Sequence, residues 1–298
     1  METTRVQANG IDFAYLEATP KRSGGAEGDG PLVLCLHGFP DHAPTFEPLL
    51  EALAEAGFRG VAPWMRGYSP TGPAPDGKYH TQALALDAIA LTDALAGGGD
   101  AYIVGSDWGA GAVHAAVPYA PDRWKKCVTM AVPPGPAMGT SFLTSPDQWK
   151  RSWYMWFFGT SLSDIAFPAN DFAIIDKLWA DWSPDYTPDP KFMRALKDIF
   201  AVDNGQAAMG YYRDSMHGRS APSEEAAKVT GGPPPIPMLY LHGRNDGCLG
   251  VDLIDETALE GSLGPGGEYV IVEGAGHFMH LEKPDAVNAK IVSFLRND

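Results

Sequence analysis

Tyr102–Ile103–Val104–Gly105–Ser106–Asp107–Trp108–Gly109 runs from a short apolar segment into residues with helical spacing, and glycines stand two places before and two places after Asp107. A sharp strand-to-helix turn needs small residues at those two places, because the backbone there passes close to its neighbours while the middle side chain is thrust out above the sheet. Register decides which side chain that is. Ser106 would need glycines at 104 and 108, which are Val104 and Trp108; Asp107 has them at 105 and 109. The exposed group is therefore expected to be a carboxylate. The competing reading is a glycine-rich turn in which Asp107 merely caps the following helix.

Outward from this turn the chain alternates. Residues 6–15 form a predicted hairpin around Asn9–Gly10, a pair suited to the positive φ of a tight turn. Residues 19–31 read as a loop. Strands are predicted at 32–36, 60–64, 102–104 and 127–132, with helices at 46–56, 81–95 and 110–119 between them. Such alternation implies a parallel sheet covered on both faces. The pattern breaks between residues 133 and 232. Proline clusters mark both ends, and five of the eight tryptophans lie inside: Trp149, Trp153, Trp156, Trp179 and Trp182. This stretch reads as an inserted helical cap. Alternation then resumes with strands at 238–241 and 269–272 and helices at 253–258 and 284–295, the last opened by proline. The expected organisation is a core of residues 1–132 and 233–298 with a cap of residues 133–232.

Two further sites join Asp107. Asp246 follows the strand at 238–241, and His277, in Gly274–Ala275–Gly276–His277, follows the last strand. The order nucleophile, acid, histidine is that of the α/β-hydrolases, and all three fall at carboxyl ends of strands, where open α/β sheets hold their sites. Each alone reads more simply as a loop carboxylate or a solvent-facing histidine; together, in order, they point to a triad. His280, three residues after His277, is the rival base. His37–Gly38–Phe39–Pro40 follows the first parallel strand, and the N–H groups of Phe39 and Trp108 are expected to form an oxyanion hole. Pro40 has no N–H and stiffens the loop.

On these residues the chain resembles the epoxide hydrolases of the α/β-hydrolase superfamily, over its whole length: the family's HGFP, its GHDWG-type turn, its late Asp and its GH before the last helix correspond to residues 37–40, 105–109, 246 and 277, with Ser106 in place of the usual His. The resemblance implies an α/β-hydrolase fold with a mostly parallel central sheet, flanking helices and an inserted helical cap. It also implies attack of Asp107 on carbon, and hydrolysis of the resulting ester by water that His277 activates with Asp246 behind it. Epoxide opening needs acid donors, and the family supplies two cap tyrosines. The best matches are Tyr154, in Tyr154–Met155–Trp156–Phe157–Phe158, and Tyr212, in Tyr211–Tyr212–Arg213. Tyr211 and the aromatic neighbours of Tyr154 remain rivals. The substrate is expected to touch His37, Phe39, Pro40, Trp108, Trp153, Phe157 and Tyr211.

Haloalkane and haloacetate dehalogenases share the covalent step. The position after His37–Gly38 is often Asn or Glu in the former and here is Phe39; the latter place Arg after the nucleophile, where this chain has Trp108. A catalytically silent ligand-binding member of the fold is a third reading, against which the complete triad counts.

Composition closes off other classes. The 298 residues are 45% apolar and 20% charged, as in globular domains, and 22 basic against 37 acidic residues give a formal charge of −15. That charge disfavours nucleic acid and anionic membrane surfaces, which need a basic footprint. Three widely spaced cysteines, 35, 127 and 248, suggest neither disulfides nor a zinc motif. No secretory signal, membrane span, metal cluster or cofactor fingerprint is apparent. The expectation is a cytoplasmic, cofactor-free monomer or homodimer whose partners are a small apolar epoxide and water.

Overall fold

The computed structural model describes residues 1–20, 30–138, 141–203, 205–219 and 233–297. Most of the loop expected at 19–31, and Gly231–Gly232 of the second proline cluster, lie outside the described residues. Among these, eight strands make one sheet: β1 (Thr3–Ala8), β2 (Ile11–Ala18), β3 (Leu32–Leu36), β4 (Arg59–Pro63), β5 (Ala101–Ser106), β6 (Cys127–Met130), β7 (Met238–Gly243) and β8 (Glu268–Val272). Their spatial order is β1-β2-β4-β3-β5-β6-β7-β8. β2 runs antiparallel to β1 and β4; every other pairing is parallel. The sheet thus carries the expected alternation, and the carboxyl ends of β3, β5, β7 and β8 share one edge.

The central strands are buried on both faces: every residue of β3, β6 and β7 is inaccessible, whereas β8, at the edge, is half-buried throughout. Helix α1 (Glu47–Glu55) turns Leu49, Leu50 and Leu53 inward and packs against β4, β2 and the last helix, Pro284–Arg296. Helices α2 (Thr81–Ala96) and α3 (Trp108–Tyr119) pack on each other and on β3. The β1–β2 hairpin closes at Asn9 and Gly10, both at positive φ, as their residue types favour. Several boundaries differ from expectation, three of them at turns that redirect the chain. β6 stops at Met130 because Ala131 takes φ 66° and turns the chain. α3 begins directly at Trp108, the turn at Asp107 leading into it with no intervening residue. The helix expected at 253–258 is a 3-10 turn, Val251–Leu253, followed by a new helix, Glu256–Glu260, which Asp255 caps through the Ala258 N–H at 3.0 Å.

Between β6 and β7 the described residues are mostly helical. Helices Trp153–Phe157, Ala169–Trp182, Pro190–Ala201 and Gln206–Ser215 converge on a buried aromatic cluster in which Phe167 touches the rings of Phe158, Phe172 and Phe200. Phe39 from the β3 loop inserts into the same cluster. The five tryptophans divide: Trp179 and Trp182 are buried, while Trp149, Trp153 and Trp156 lie on the outer face. Trp179 fastens the helical segment to the core, stacking on Phe278 at 3.6 Å between centroids and donating its indole N–H to the Pro40 carbonyl at 2.8 Å. No helix among the described residues is long and apolar enough to cross a membrane.

One strut carried no sequence signal. Arg66, buried after β4, donates to both oxygens of Asp87 on α2 at 2.5 and 2.6 Å, and its carbonyl accepts the Tyr211 hydroxyl at 2.7 Å. Removing one member of such a buried pair leaves an uncompensated charge, which costs about 3–5 kcal/mol. We expect Asp87→Asn to lower the unfolding free energy by about that amount in urea titrations; a loss below about 1 kcal/mol, the range of exposed pairs, would show the pair contributes little.

Candidate active site

The turn after β5 holds Asp107 at φ 52° and ψ −118°, strained for a non-glycine residue. The close packing that sustains it explains the flanking glycines. A Cβ at Gly105 would lie 2.3 Å from the Gly109 carbonyl oxygen, and one at Gly109 would lie 1.9 Å from that of Leu36. Gly38 is equally confined: a Cβ there would meet the Asp107 side chain at 2.3 Å. Asp107 caps no N–H of α3. Its Oδ1 instead accepts the Phe39 N–H at 2.8 Å, which removes the helix-cap reading. Trp108, at the first helical position, carries an N–H that α3 cannot itself satisfy.

His277 lies fully buried opposite. Its Nδ1 meets Asp246 Oδ2 at 2.9 Å, and its Nε2, without a hydrogen-bond partner, stands 3.5 Å from Asp107 Oδ2. Asp246 is fixed in turn, Oδ1 accepting the N–H groups of Cys248 at 2.7 Å and Leu249 at 3.1 Å. Burial alone would push His277 down, but the Asp246 carboxylate, together with Cys248 and Asp107, carries it well above its ordinary value. The rival His280 is held elsewhere, with Nε2 2.7 Å from Thr45 Oγ1 and its ring stacked on Phe46.

Two tyrosines close the site from the helical segment. Tyr212 packs edge-on against Phe39, Trp108 and Tyr154, and its buried hydroxyl has no hydrogen-bond partner. The Tyr154 hydroxyl lies 3.2 Å from Cys248 Sγ. Burial holds both phenols well above the usual tyrosine value, and the nearby Asp107 charge adds to the effect. Arg213 links the helices that bear them, donating from Helix Gln206–Ser215 to the Phe158 carbonyl at 2.9 Å.

Four expected lining residues have their polar groups or exposure set as follows. Tyr211 commits its hydroxyl to the Arg66 carbonyl, whereas that of Tyr212 has no hydrogen-bond partner. His37 accepts the Met65 N–H at Nε2 and therefore carries its proton on Nδ1, which faces the Gly38 carbonyl at 2.9 Å; both nitrogens serve the loop. Pro40 presents its carbonyl to Trp179. Trp153 is 39% exposed and rests on Phe157, on the outer side of the segment.

Other participants were not foreseen. The Trp182 carbonyl accepts the N–H groups of Gly247 and His277 at 3.1 and 3.0 Å, and its ring meets the imidazole at 5.0 Å. Glu282 accepts from Ser183 Oγ at 2.7 Å and from the Gly276 N–H at 2.8 Å, fixing the histidine turn. Cys248, which no sequence spacing linked to another ligand type, brings its sulfur into a group with Asp107 and His277 whose donor atoms all lie within 4.8 Å of one another. Burial pushes its thiol up to about 11.

Residues 31–284 match the family model of the alpha/beta hydrolase fold. The AB hydrolase superfamily protein YfhM of Bacillus subtilis (strain 168) is 28% identical over 278 residues, 90% of this chain and 91% of that protein. Epoxide hydrolase A of Mycobacterium tuberculosis is 26% identical over 326 residues, 97% of this chain and 96% of the relative. The crystal structure of an epoxide hydrolase from Vigna radiata superposes with a TM-score of 0.80 at 25% identity, covering 99% of this chain and 97% of the other.

The raised value of His277 has a sign that can be checked. A group raised on folding stabilises the native state fully below its unfolded value of 6.5, and that contribution is lost as pH rises through the folded value. Asp246→Asn keeps the burial and removes the nearest carboxylate that opposes it. We expect the His277 titration, followed by NMR, to move to lower pH in that variant; an unmoved titration would mean Asp246 is not what raises it.

Proposed function

Because this chain belongs to the alpha/beta hydrolase fold family, and because two buried phenols face its carboxylate, we propose that it hydrolyses a small apolar epoxide to a vicinal diol through an Asp107 ester. Asp107 Oδ2 attacks a ring carbon, and the C–O bond breaks. Tyr154 and Tyr212 donate to the departing oxygen, which leaves as a hydroxyl. Oδ1, already on the Phe39 N–H, becomes the ester carbonyl oxygen. His277 Nε2 then takes a proton from water, which attacks the Asp107 carbonyl carbon, not the substrate. The tetrahedral oxyanion forms on Oδ1, held by the N–H groups of Phe39 and Trp108. Collapse expels the diol oxygen, which takes the proton held on His277, and the acid proton left on Asp107 passes to the phenolate, returning carboxylate and phenol. In this reading residues 133–232 act as a lid over the core of residues 1–132 and 233–298.

Electrostatics supports the sequence of events. In the free protein the Asp107 charge helps to hold the proton on His277. Alkylation neutralises Asp107, so the imidazole loses a stabilising partner for its charged form and becomes a better base at the step that needs one.

The observation that carries the proposal is the Tyr212 hydroxyl, buried without a hydrogen-bond partner and near enough for the Asp107 charge to act on it, with the Tyr154 ring edge-on to its own. An alkoxide must be protonated as it leaves; a halide needs no proton.

We expect His277→Gln, incubated with styrene oxide, to accumulate a covalent adduct on the peptide bearing Asp107. We also expect a single turnover of the parent in ¹⁸O water to put label into Asp107 before it reaches the diol. An unmodified peptide, or halide release from a bromoalkane or fluoroacetate without diol formation, would overturn the assignment in favour of no covalent step or of a dehalogenase. For the donors, Tyr212→Phe should slow ester formation by about 10²-fold or more. A rate within about twofold of the parent would remove Tyr212 from the mechanism.

A further inference from the structure

We propose that Asp107, Cys248 and His277 form a binding site for a thiophilic divalent cation, zinc in the first instance, whose occupancy switches the protein off. Carboxylate oxygen, thiolate sulfur and imidazole nitrogen are the three ligand types zinc takes, at roughly 2.0–2.2, 2.3 and 2.0–2.1 Å. Around a tetrahedral ion such ligands stand about 3.3–3.7 Å apart. His277 Nε2 and Asp107 Oδ2 are already 3.5 Å apart, and no pair in the trio exceeds 4.8 Å, so a turn of the Cys248 side chain completes the set.

Second contacts favour the same outcome. His277 donates its other nitrogen to Asp246, the carboxylate–histidine arrangement that orients a metal-binding imidazole. Its Nε2 is buried, has no hydrogen-bond partner and points into the group. Asp246 also fixes the backbone of Cys248, so one carboxylate positions both the nitrogen and the sulfur. The thiol proton and the proton on His277 Nε2 leave to solvent on binding, and thiolate and carboxylate together balance the dication. Hard cations, which prefer six or more oxygens, are disfavoured here. Cys35 and Cys127 lie within β3 and at the start of β6, and neither joins a ligand group among the described residues.

A bound ion would occupy the oxygen that attacks carbon and the nitrogen that activates water, so inhibition should be complete and competitive with substrate. The test uses the full chain and Co²⁺ as a spectroscopic probe. We expect one equivalent to give the visible spectrum of a tetrahedral site with a thiolate-to-cobalt charge-transfer band in the near ultraviolet, and zinc to displace it. Cys248→Val should lose the band, weaken zinc binding in equilibrium dialysis about tenfold or more, and raise the zinc concentration for half-inhibition to match. Chelation should restore the parent's activity. A parent that binds no zinc, or a Cys248→Val protein that keeps the band and is inhibited like the parent, overturns the proposal. Should the valine variant fail to fold by circular dichroism, His277→Gln decides by dialysis: undiminished zinc binding there also overturns it. The cobalt spectrum needs no substrate, so its result stands apart from the fate of the epoxide assignment.

Discussion

The contact between the Phe39 N–H and Asp107 Oδ1 joins the two loops on which the site is built. It requires Asp107 to hold a backbone conformation that costs on the order of 1–3 kcal/mol for a residue with a Cβ. What sustains it is the parallel sheet: β3 and β5 are neighbours, in register from Leu32↔Ala101 to Leu36↔Gly105, so both loops leave the same edge at the same height. Gly38, Gly105 and Gly109 remove the atoms that would keep these loops apart. The strain is thus distributed over three close approaches and a buried sheet, and the carboxylate is held in place before any substrate arrives.

The helical segment completes the site by enclosing it. Asp107 retains 8% exposure, and His277 and Tyr154 retain none. Water exclusion strengthens every charge interaction inside, and it is what allows Asp246 to act so strongly on His277. The clasp runs through backbone as well as rings: the Trp182 carbonyl holds the Asp246 loop and the His277 turn at once. The segment therefore shapes the surroundings of His277 as well as the wall above it.

Much of this was legible in residue spacing. Asp107 was found because its glycines are symmetrical about it, and Asp246 and His277 because each follows a strand; these signals are local, and sheet topology brings local signals together. Tyr154 and Tyr212 rested on resemblance, since aromatic residues in a helical segment look alike in sequence. What separates Tyr212 from Tyr211 is which hydroxyl finds the Arg66 carbonyl, a contact spanning 145 residues. For the same reason Arg66–Asp87, Trp182 and Cys248 carried no signal. Their roles depend on meeting partners in three dimensions, and neither periodicity nor a motif encodes that.

Charge balance narrows what the enclosed site can accept. Two carboxylates, Asp107 and Asp246, share it with a single imidazole, and Arg66 is the only buried Lys or Arg among the described residues. Both Asp87 oxygens already occupy that guanidinium. An anionic substrate would bring a further negative charge into a dry site that has no free cation to meet it, at a cost of several kcal/mol. A neutral electrophile, as proposed above, escapes that penalty. The absence of an arginine next to Asp107 and the unpartnered Tyr212 hydroxyl thus both accord with the proposed neutral substrate.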